Sequence, residues 1–313
     1  MIVPDSGPPS PRPSPAIAGE GDPNVDALSS PPPQSGGGQG GGRQEGSTAE
    51  STTREVTVER WRKGSVERVL DHVAEEVPVA LTYHGVPHVV MLATPADLED
   101  LATGFTLSEQ IVTGPAEIRS VEAVRRDDDA LEVRIGIDAE RFSELLRRQR
   151  NMTGRTGCGL CGARTVEDAI RDPDAVKGAI SVSVMELHAA LADLRHRQLI
   201  NAQTGSVHAA AWVLPGGGIQ IVREDVGRHN ALDKVIGAVV RAKGDFATGY
   251  FIVTSRASYE MVQKTAIVGC AFIAAVSAPT AFAIRLAEAA GVTLVGFARE
   301  HQHVVYANPW RLT

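Results

Sequence analysis

Cysteine is scarce: three residues, at 158, 161 and 270, in a chain of 313. So few thiols exclude a disulfide scaffold and fit a reducing compartment, so cytoplasm is the expected location. Positive charge is also lacking. The formal net charge is −7, which excludes a nucleic-acid protein that works by bulk basic charge. No apolar stretch follows a basic start, so no secretory signal is read. A single long apolar run, 265–284, is broken by Gly269, Ser277 and Pro279. A helix end followed by a buried strand is expected there, not a membrane span. What is present is 43% hydrophobic and 22% charged residues, the balance of a soluble globular protein with one large or two modest domains.

Three regions differ in composition. Residues 1–53 hold ten of the eighteen prolines and the run Gly36-Gly37-Gly38-Gln39-Gly40-Gly41-Gly42. Such a segment buries too little apolar surface to offset its ordering entropy, and a disordered tail without chemistry is expected. Residues 54–150 read as a smaller α+β domain. A strand at 55–61 is followed by strands at 79–83 and 88–92 around the turn His84-Gly85-Val86-Pro87. Thr94-Pro95 looks like an N-cap with proline at the first helical position, opening a helix to about residue 109. Strands at 120–125 and 131–137 flank Asp127-Asp128-Asp129, and a helix follows at 139–149.

Residues 151–313 read as an α/β domain. Ser183 and Glu186 make a capping box for a helix with Leu187, Leu191 and Leu194 on its apolar stripe. Strands at 207–214 and 219–222 surround Pro215-Gly216-Gly217-Gly218. Helices at 229–242, 259–268 and 280–290 then alternate with strands at 250–254, 272–276 and 293–297. That alternation predicts a layered, largely parallel sheet, with ligands beyond the carboxyl ends of its strands. The loops there are 224–228, 255–258, 277–279 and 298–301, and three of the four contain arginine.

The segment Gly154-Arg155-Thr156-Gly157-Cys158-Gly159-Leu160-Cys161-Gly162 carries the reactive residue types. A structural zinc site needs four ligands. Here no second cysteine pair exists, Cys270 sits in an apolar run as a small hydrophobe, and His208 and His229 are remote in sequence. No metal site is expected. A redox dithiol and a persulfide carrier both remain open. The carrier needs a thiolate, which Arg155 and Arg164 would favour, and a glycine-rich backbone that lets one sulfur reach two partners.

At these residues the chain resembles a known family. Thr156-Gly157-Cys158-Gly159-Leu160-Cys161-Gly162 is similar to the Cys-Gly-x-Cys-Gly loop of the formate dehydrogenase accessory sulfurtransferases. The likeness continues through His208-Ala209-Ala210-Ala211, Glu224-Asp225-Val226-Gly227-Arg228-His229-Asn230-Ala231-Leu232-Asp233-Lys234 and Ser255-Arg256-Ala257-Ser258-Tyr259-Glu260-Met261-Val262-Gln263-Lys264. It ends with Ser277-Ala278-Pro279-Thr280 and Val295-Gly296-Phe297-Ala298-Arg299. The resemblance implies a three-layer α/β/α domain like that of cytidine deaminase, joined to the smaller α+β domain, and a homodimer. It implies a sulfurtransferase that takes persulfide sulfur from a cysteine desulfurase and passes it to the molybdenum bis-guanine-dinucleotide cofactor, a transiently bound substrate destined for formate dehydrogenase. By the same resemblance Cys158 carries the persulfide, with Cys161 as the second cysteine. The cofactor-binding stretch corresponds to Phe297, Ala298, Arg299, Glu300, His301 and Gln302, assisted by the loops of Arg228, Ser255 and Arg256. A dithiol oxidoreductase and a non-catalytic cofactor chaperone are the alternatives.

Deaminase chemistry is excluded, because His208-Ala209-Ala210 lacks the required carboxylate and Gly157 stands where proline would precede the cysteine. Glu300 stands where relatives often have glycine, and a carboxylate there faces an anionic ligand poorly unless it turns away. Phe297 suits stacking on a ring, and Arg299 suits pairing with a pyrophosphate; each is equally compatible with core packing or a surface ion pair. Asp225, Arg228, His229 and Asn230 are expected at a helix N-terminus that suits a phosphate, or as a cap of that helix. Ser258 shares a loop with Ser255 and Arg256, and Tyr259 is expected to pack. His208 reads as a core histidine, and His188 and His196 as solvent-exposed.

Overall fold

The computed structural model describes residues 51–126, 130–150 and 173–313. The proline-rich tail, the Asp127–Asp129 turn and the whole Cys158–Cys161 loop with Arg155 and Arg164 lie outside the described residues.

The first elements are β1 (Thr53–Arg62) and β2 (Ser65–Ala74), an antiparallel ribbon closed by Lys63 and Gly64, both at positive φ. The charged, weakly alternating sequence of β2 gave no strand signal, and β1 alone was expected. A second sheet follows, in the order β4-β3-β6-β5. Its strands are β3 (Val77–Tyr83), β4 (Val86–Ala93), β5 (Ile118–Arg125) and β6 (Leu131–Ile137). The β3–β4 turn is only His84-Gly85, with φ of 49° and 79°, the two-residue hairpin geometry whose twist matches the strands. Helices α1 (Leu98–Ser108) and α2 (Ala139–Arg150) accompany this sheet, and Val79, Leu81, Tyr83, Leu101, Val133 and Ile135 form its core.

Helix α1 starts later than Thr94-Pro95 suggested, after Asp97 at φ 54°. Thr94 is engaged elsewhere. Its N–H donates to Asp225 Oδ2 (3.0 Å), its Oγ1 accepts from the Val226 N–H (3.2 Å), and its carbonyl accepts from Lys234 Nζ (3.0 Å). Long-range partners outcompeted the local cap.

The remaining elements are α3 (Val184–Arg197), α4 (Leu199–Thr204), β7 (His208–Leu214), β8 (Gly218–Asp225), α5 (Arg228–Arg241), β9 (Tyr250–Val253), α6 (Tyr259–Ile267), β10 (Phe272–Ala275), α7 (Ala281–Ala290), β11 (Thr293–Arg299) and β12 (Gln302–Ala307). They build a six-stranded sheet in the order β12-β11-β10-β9-β7-β8. Only β9–β10 and β10–β11 are parallel pairs; β7–β8, β7–β9 and β11–β12 are antiparallel. The largely parallel expectation is corrected to a mixed sheet. Because β7 reverses between β8 and β9, however, β8, β9, β10 and β11 all point the same way.

Period-two alternation sorts the strands between two cores. Trp212, Phe251, Val253 and Ile273 face α5, α6 and α7, whereas Ala211, Val213, Tyr250, Ile252 and Phe272 face α3. The result is an α/β protein with a three-layer helix–sheet–helix arrangement and a smaller α+β part. Burying a side chain such as Phe251 or Phe272 stabilises the fold by about 2–3 kcal/mol. The Ser183 cap forms as expected, with Oγ accepting from the Met185 N–H and Glu186 accepting from the Ser183 N–H, both at 3.2 Å. The apolar run at 265–284 divides into the end of α6, a turn at Gly269, strand β10 and the start of α7. Among the described residues no helix is long and apolar enough to cross a membrane.

Helix α1 packs on α5 at backbone contact. A methyl on Gly104 would overlap the Asp233 carbonyl, and one on Gly237 would overlap that of Asp100. Buried charges cross the same junction. Lys264 Nζ lies 2.9 Å from Asp233 and 3.0 Å from Glu109, while Asp100 accepts from Arg223 (2.8 Å) and Arg241 (2.7 Å). Burial opposes the Lys264 charge, but Asp233 and Glu109 outweigh it and hold the ammonium above the ordinary lysine range.

Candidate functional site

Four strands that point one way deliver four loops to one edge of the six-stranded sheet. At that edge, on the α3 side, lies a cavity of about 620 Å³. Leu191, Leu194, Val276 and Ala298 supply apolar lining, Thr254 and Gln198 are polar, and Arg195, Arg299, Glu300, His301 and Gln302 complete the lining. The volume falls in the range of small-molecule sites, as does the pattern of apolar lining with few polar groups.

Ala298 to Gln302, five of the six residues of the stretch read from the sequence, line this cavity. They reach it because β11 is irregular: pairing with β12 shifts between Gly296 and Arg299. Phe297 sits within that irregularity at φ 49°, with its N–H donating to the Ser277 carbonyl at 3.2 Å. It is 39% exposed and does not line the cavity. Glu300 neither turns away nor stands unpaired; its Oε1 accepts from Arg195 Nη1 at 2.7 Å. That hydrogen bond, more than any other influence, holds its carboxyl below the usual glutamate range.

Arg228, Ser255 and Arg256 are not cavity-lining residues. Ser255 is buried and its Oγ donates to the Arg256 carbonyl (3.0 Å), while Arg256 is exposed. Arg228 opens α5, and its Nε is enclosed without an acceptor among the described residues. Beside it, His229 Nε2 lies 2.9 Å from Glu260 Oε2, and this contact is the main reason the Glu260 carboxyl is held low. His208 is half-buried at the start of β7. Burial first, then the charge of Arg228, pushes its pKa down, which favours a neutral imidazole.

Asp225 is fully buried and works within the protein. Oδ2 pairs with Lys234 Nζ (2.7 Å), and Oδ1 accepts from the Gly227 N–H (2.8 Å) and Asn230 Nδ2 (2.9 Å). Asn230 also donates to the Leu92 carbonyl at 2.8 Å. Tyr259 packs flat on Phe282, with ring centroids 4.4 Å apart. His196 is exposed as read, but His188 is only half-buried and shares a 3.0 Å hydrogen bond with His303. The exposed reading of His188 is corrected, since β12, which brings His303 alongside, had no sequence signal. Cys270 is buried, and desolvation pushes its thiol up to about 12. Among the described residues no group of three or more His, Cys, Asp or Glu is placed to hold a metal.

Sequence reasoning missed the α3 contribution. Leu191 and Leu194 were read as ordinary core, and Arg195 and Gln198 carried no expectation. The available signal was the position of Arg195 one turn beyond Leu191, at a helix end facing the predicted strand-end loops.

Comparison with known proteins places this geometry. The FdhD/NarQ family model matches residues 74–313. The chain is 50% identical over 267 residues to the sulfur carrier protein FdhD of Cupriavidus necator, covering 85% of this chain and 92% of that one. It is 52% identical over 256 residues to the sulfur carrier protein FdhD of Xanthomonas campestris, covering 82% and 91%. Its fold is similar to the crystal structure of a candidate formate dehydrogenase accessory protein from Desulfotalea psychrophila. That match has a TM-score of 0.66 at 23% identity and covers 84% of this chain and all of the other.

Proposed function

Since the chain belongs to the FdhD/NarQ family, we propose that it is a sulfur carrier serving formate dehydrogenase, with a cysteine desulfurase as donor and the molybdenum bis-guanine-dinucleotide cofactor as acceptor. The observation that carries this reading is the strand-end cavity, whose rim brings Arg195 and Arg299 beside apolar walls. Apolar walls suit a planar ring, and guanidinium groups suit the phosphates attached to it.

In the first step the Cys158 thiolate attacks the terminal sulfur of the donor's persulfide. A new S–S bond forms on Cys158, and the donor cysteine leaves as a thiolate. The sulfur then passes to the cofactor, which is substrate here and not a resident group. Attack of the Cys161 thiolate on the Cys158 sulfur would expel the terminal sulfur as hydrosulfide and leave a Cys158–Cys161 disulfide. A thiol reductant would restore the pair. Arg195 and Arg299 bind the anionic part of the cofactor, with Glu300 balancing the charge of Arg195.

The carrier acts in the cytoplasm, a reading supported by its scarcity of cysteine, and as a homodimer. Support for the dimer comes from the β1–β2 ribbon, where Trp61, Val66 and Leu70 are exposed. A two-stranded ribbon with uncovered apolar residues is marginal alone and gains from a second copy.

Intact-mass analysis after incubation with a desulfurase and cysteine tests the carrier. A gain of about one sulfur atom on the peptide holding Cys158 is expected from thiolate chemistry, and it disappears in Cys158→Ala. Disulfide without cyanide-releasable sulfur would identify a dithiol oxidoreductase instead. Full formate dehydrogenase maturation by both single cysteine variants would identify a chaperone.

A further inference from the structure

We propose that His188 and His303 form a two-histidine site for a borderline divalent transition ion such as copper(II), nickel(II) or zinc. The site lies on the seam between α3 and β12, and neither residue lines the strand-end cavity.

The two residues are 115 positions apart in sequence, yet His188 Nε2 and His303 Nδ1 stand 3.0 Å apart. Two imidazole nitrogens that share one ion at about 2.0–2.1 Å are held about 3.0–3.4 Å from each other. The rings are tilted by 61°, with centroids 5.2 Å apart. They do not stack, and a small rotation of each brings both lone pairs onto one point. Both side chains are half-buried, so packing limits their freedom while some surface stays open to solvent ligands.

Protonation at this seam suits a metal. Burial, then the charges of His303 and His301, holds the His188 pKa below the ordinary histidine value. Neutral imidazole, the form that ligates, is therefore favoured at pH 7.5. The hydrogen bond between the rings carries one proton. On binding, that proton moves to the far nitrogen of its ring or leaves to water, and two N–metal bonds replace the hydrogen bond. Among the described residues no third His, Cys, Asp or Glu completes the shell, so water or an anion fills the other positions. A structural zinc centre needs four protein ligands, and magnesium and calcium take oxygen, so neither fits. Imidazole suits copper, nickel and zinc. An ion here ties α3, which carries Leu191 and Arg195, to the strand that follows Glu300 and His301, and so braces two walls of the cavity.

Copper(II) titration of the full chain tests this, with the thiols first alkylated by iodoacetamide so that cysteine does not compete. Pulsed EPR of the remote imidazole nitrogens should count two histidines on the tightest-bound ion, at one ion per chain. His188→Gln and His303→Gln should each reduce that count to one. Each should also weaken the site at least about tenfold, since losing even an outer-shell partner costs that much. Nickel(II) should bind more weakly than copper(II), following the usual order of divalent affinities, and magnesium should not bind. A wild-type count of one or none overturns the proposal, whether or not the variants fold. So does copper affinity that both variants leave unchanged, which would place the ion on other histidines.

Discussion

The two flanks of the sheet edge treat polar residues in opposite ways. On the α5 side, charges are buried and spent on one another: Asp225 and Lys234 are both fully buried at 2.7 Å, Asp225 Oδ2 also accepts from the Thr94 N–H, and Oδ1 accepts from Gly227 and Asn230. On the α3 side, polar groups stand open around a cavity. Arg195 is 74% exposed with Glu300 as its partner, Arg299 is exposed, and the Gln198 oxygen has no protein donor among the described residues. A polar cluster that satisfies itself holds a fold, and one that leaves capacity over is available to a ligand. The densest sequence motif, residues 224–234, contributes much of its chemistry to the first kind.

If that contrast is sound, substitutions on the two flanks separate stability from binding. The largest expected effect is Lys234→Met, which strands the Asp225 carboxylate and should cost about 3–5 kcal/mol of stability, read by denaturant unfolding. A loss below about 1 kcal/mol would show that water or a rearranged partner reaches the site. On the other flank, Arg299→Ala should leave unfolding within about 0.5 kcal/mol of wild type while weakening GDP binding by about ten- to a hundredfold, the value of a charged hydrogen bond. Equal damage to both quantities would erase the distinction.

Glu300→Gln refines the contrast within the cavity. Freed from its carboxylate, Arg195 should bind anions better, raising GDP affinity by about two- to fivefold at low salt and less at high salt. Unchanged affinity would mean that Arg195 takes no part. The smallest effect is a pH slope. His188 and His208 are both held below their ordinary pKa, His188 by burial and then by the charges of His303 and His301. The unfolded chain therefore takes up protons first, so the stability these residues contribute is present above about pH 6.5 and is lost as pH falls below it. Thermal unfolding from about pH 7.5 to 5.5 should show this loss, and His188→Gln with His208→Gln should flatten it.

Legibility followed the range of the interactions involved. The Ser183–Glu186 capping box, the β3–β4 hairpin and the alternating helices and strands after residue 228 depend on neighbours a few positions apart, and these were readable. Strand β2, helix α4 and strand β12 were not, since β2 and β12 form only against an adjacent strand and α4 starts on a carboxylate 24 positions away in sequence, Glu224. Thr94 misled for the same reason, because its partners lie 131 and more positions further along.

By itself the sequence determined the layered α/β class, the strand-end placement of residues 298–302 and the family resemblance, all of which follow from local periodicity and short motifs. Tertiary structure alone decided that β7 would reverse direction, that Asp225 would turn inward to Lys234, and that Arg195 and Gln198 would arrive opposite Glu300 and Ala298. Those outcomes depend on how two layers pack across a sheet, and no interval along the chain encodes the distance between side chains that meet only when the layers close.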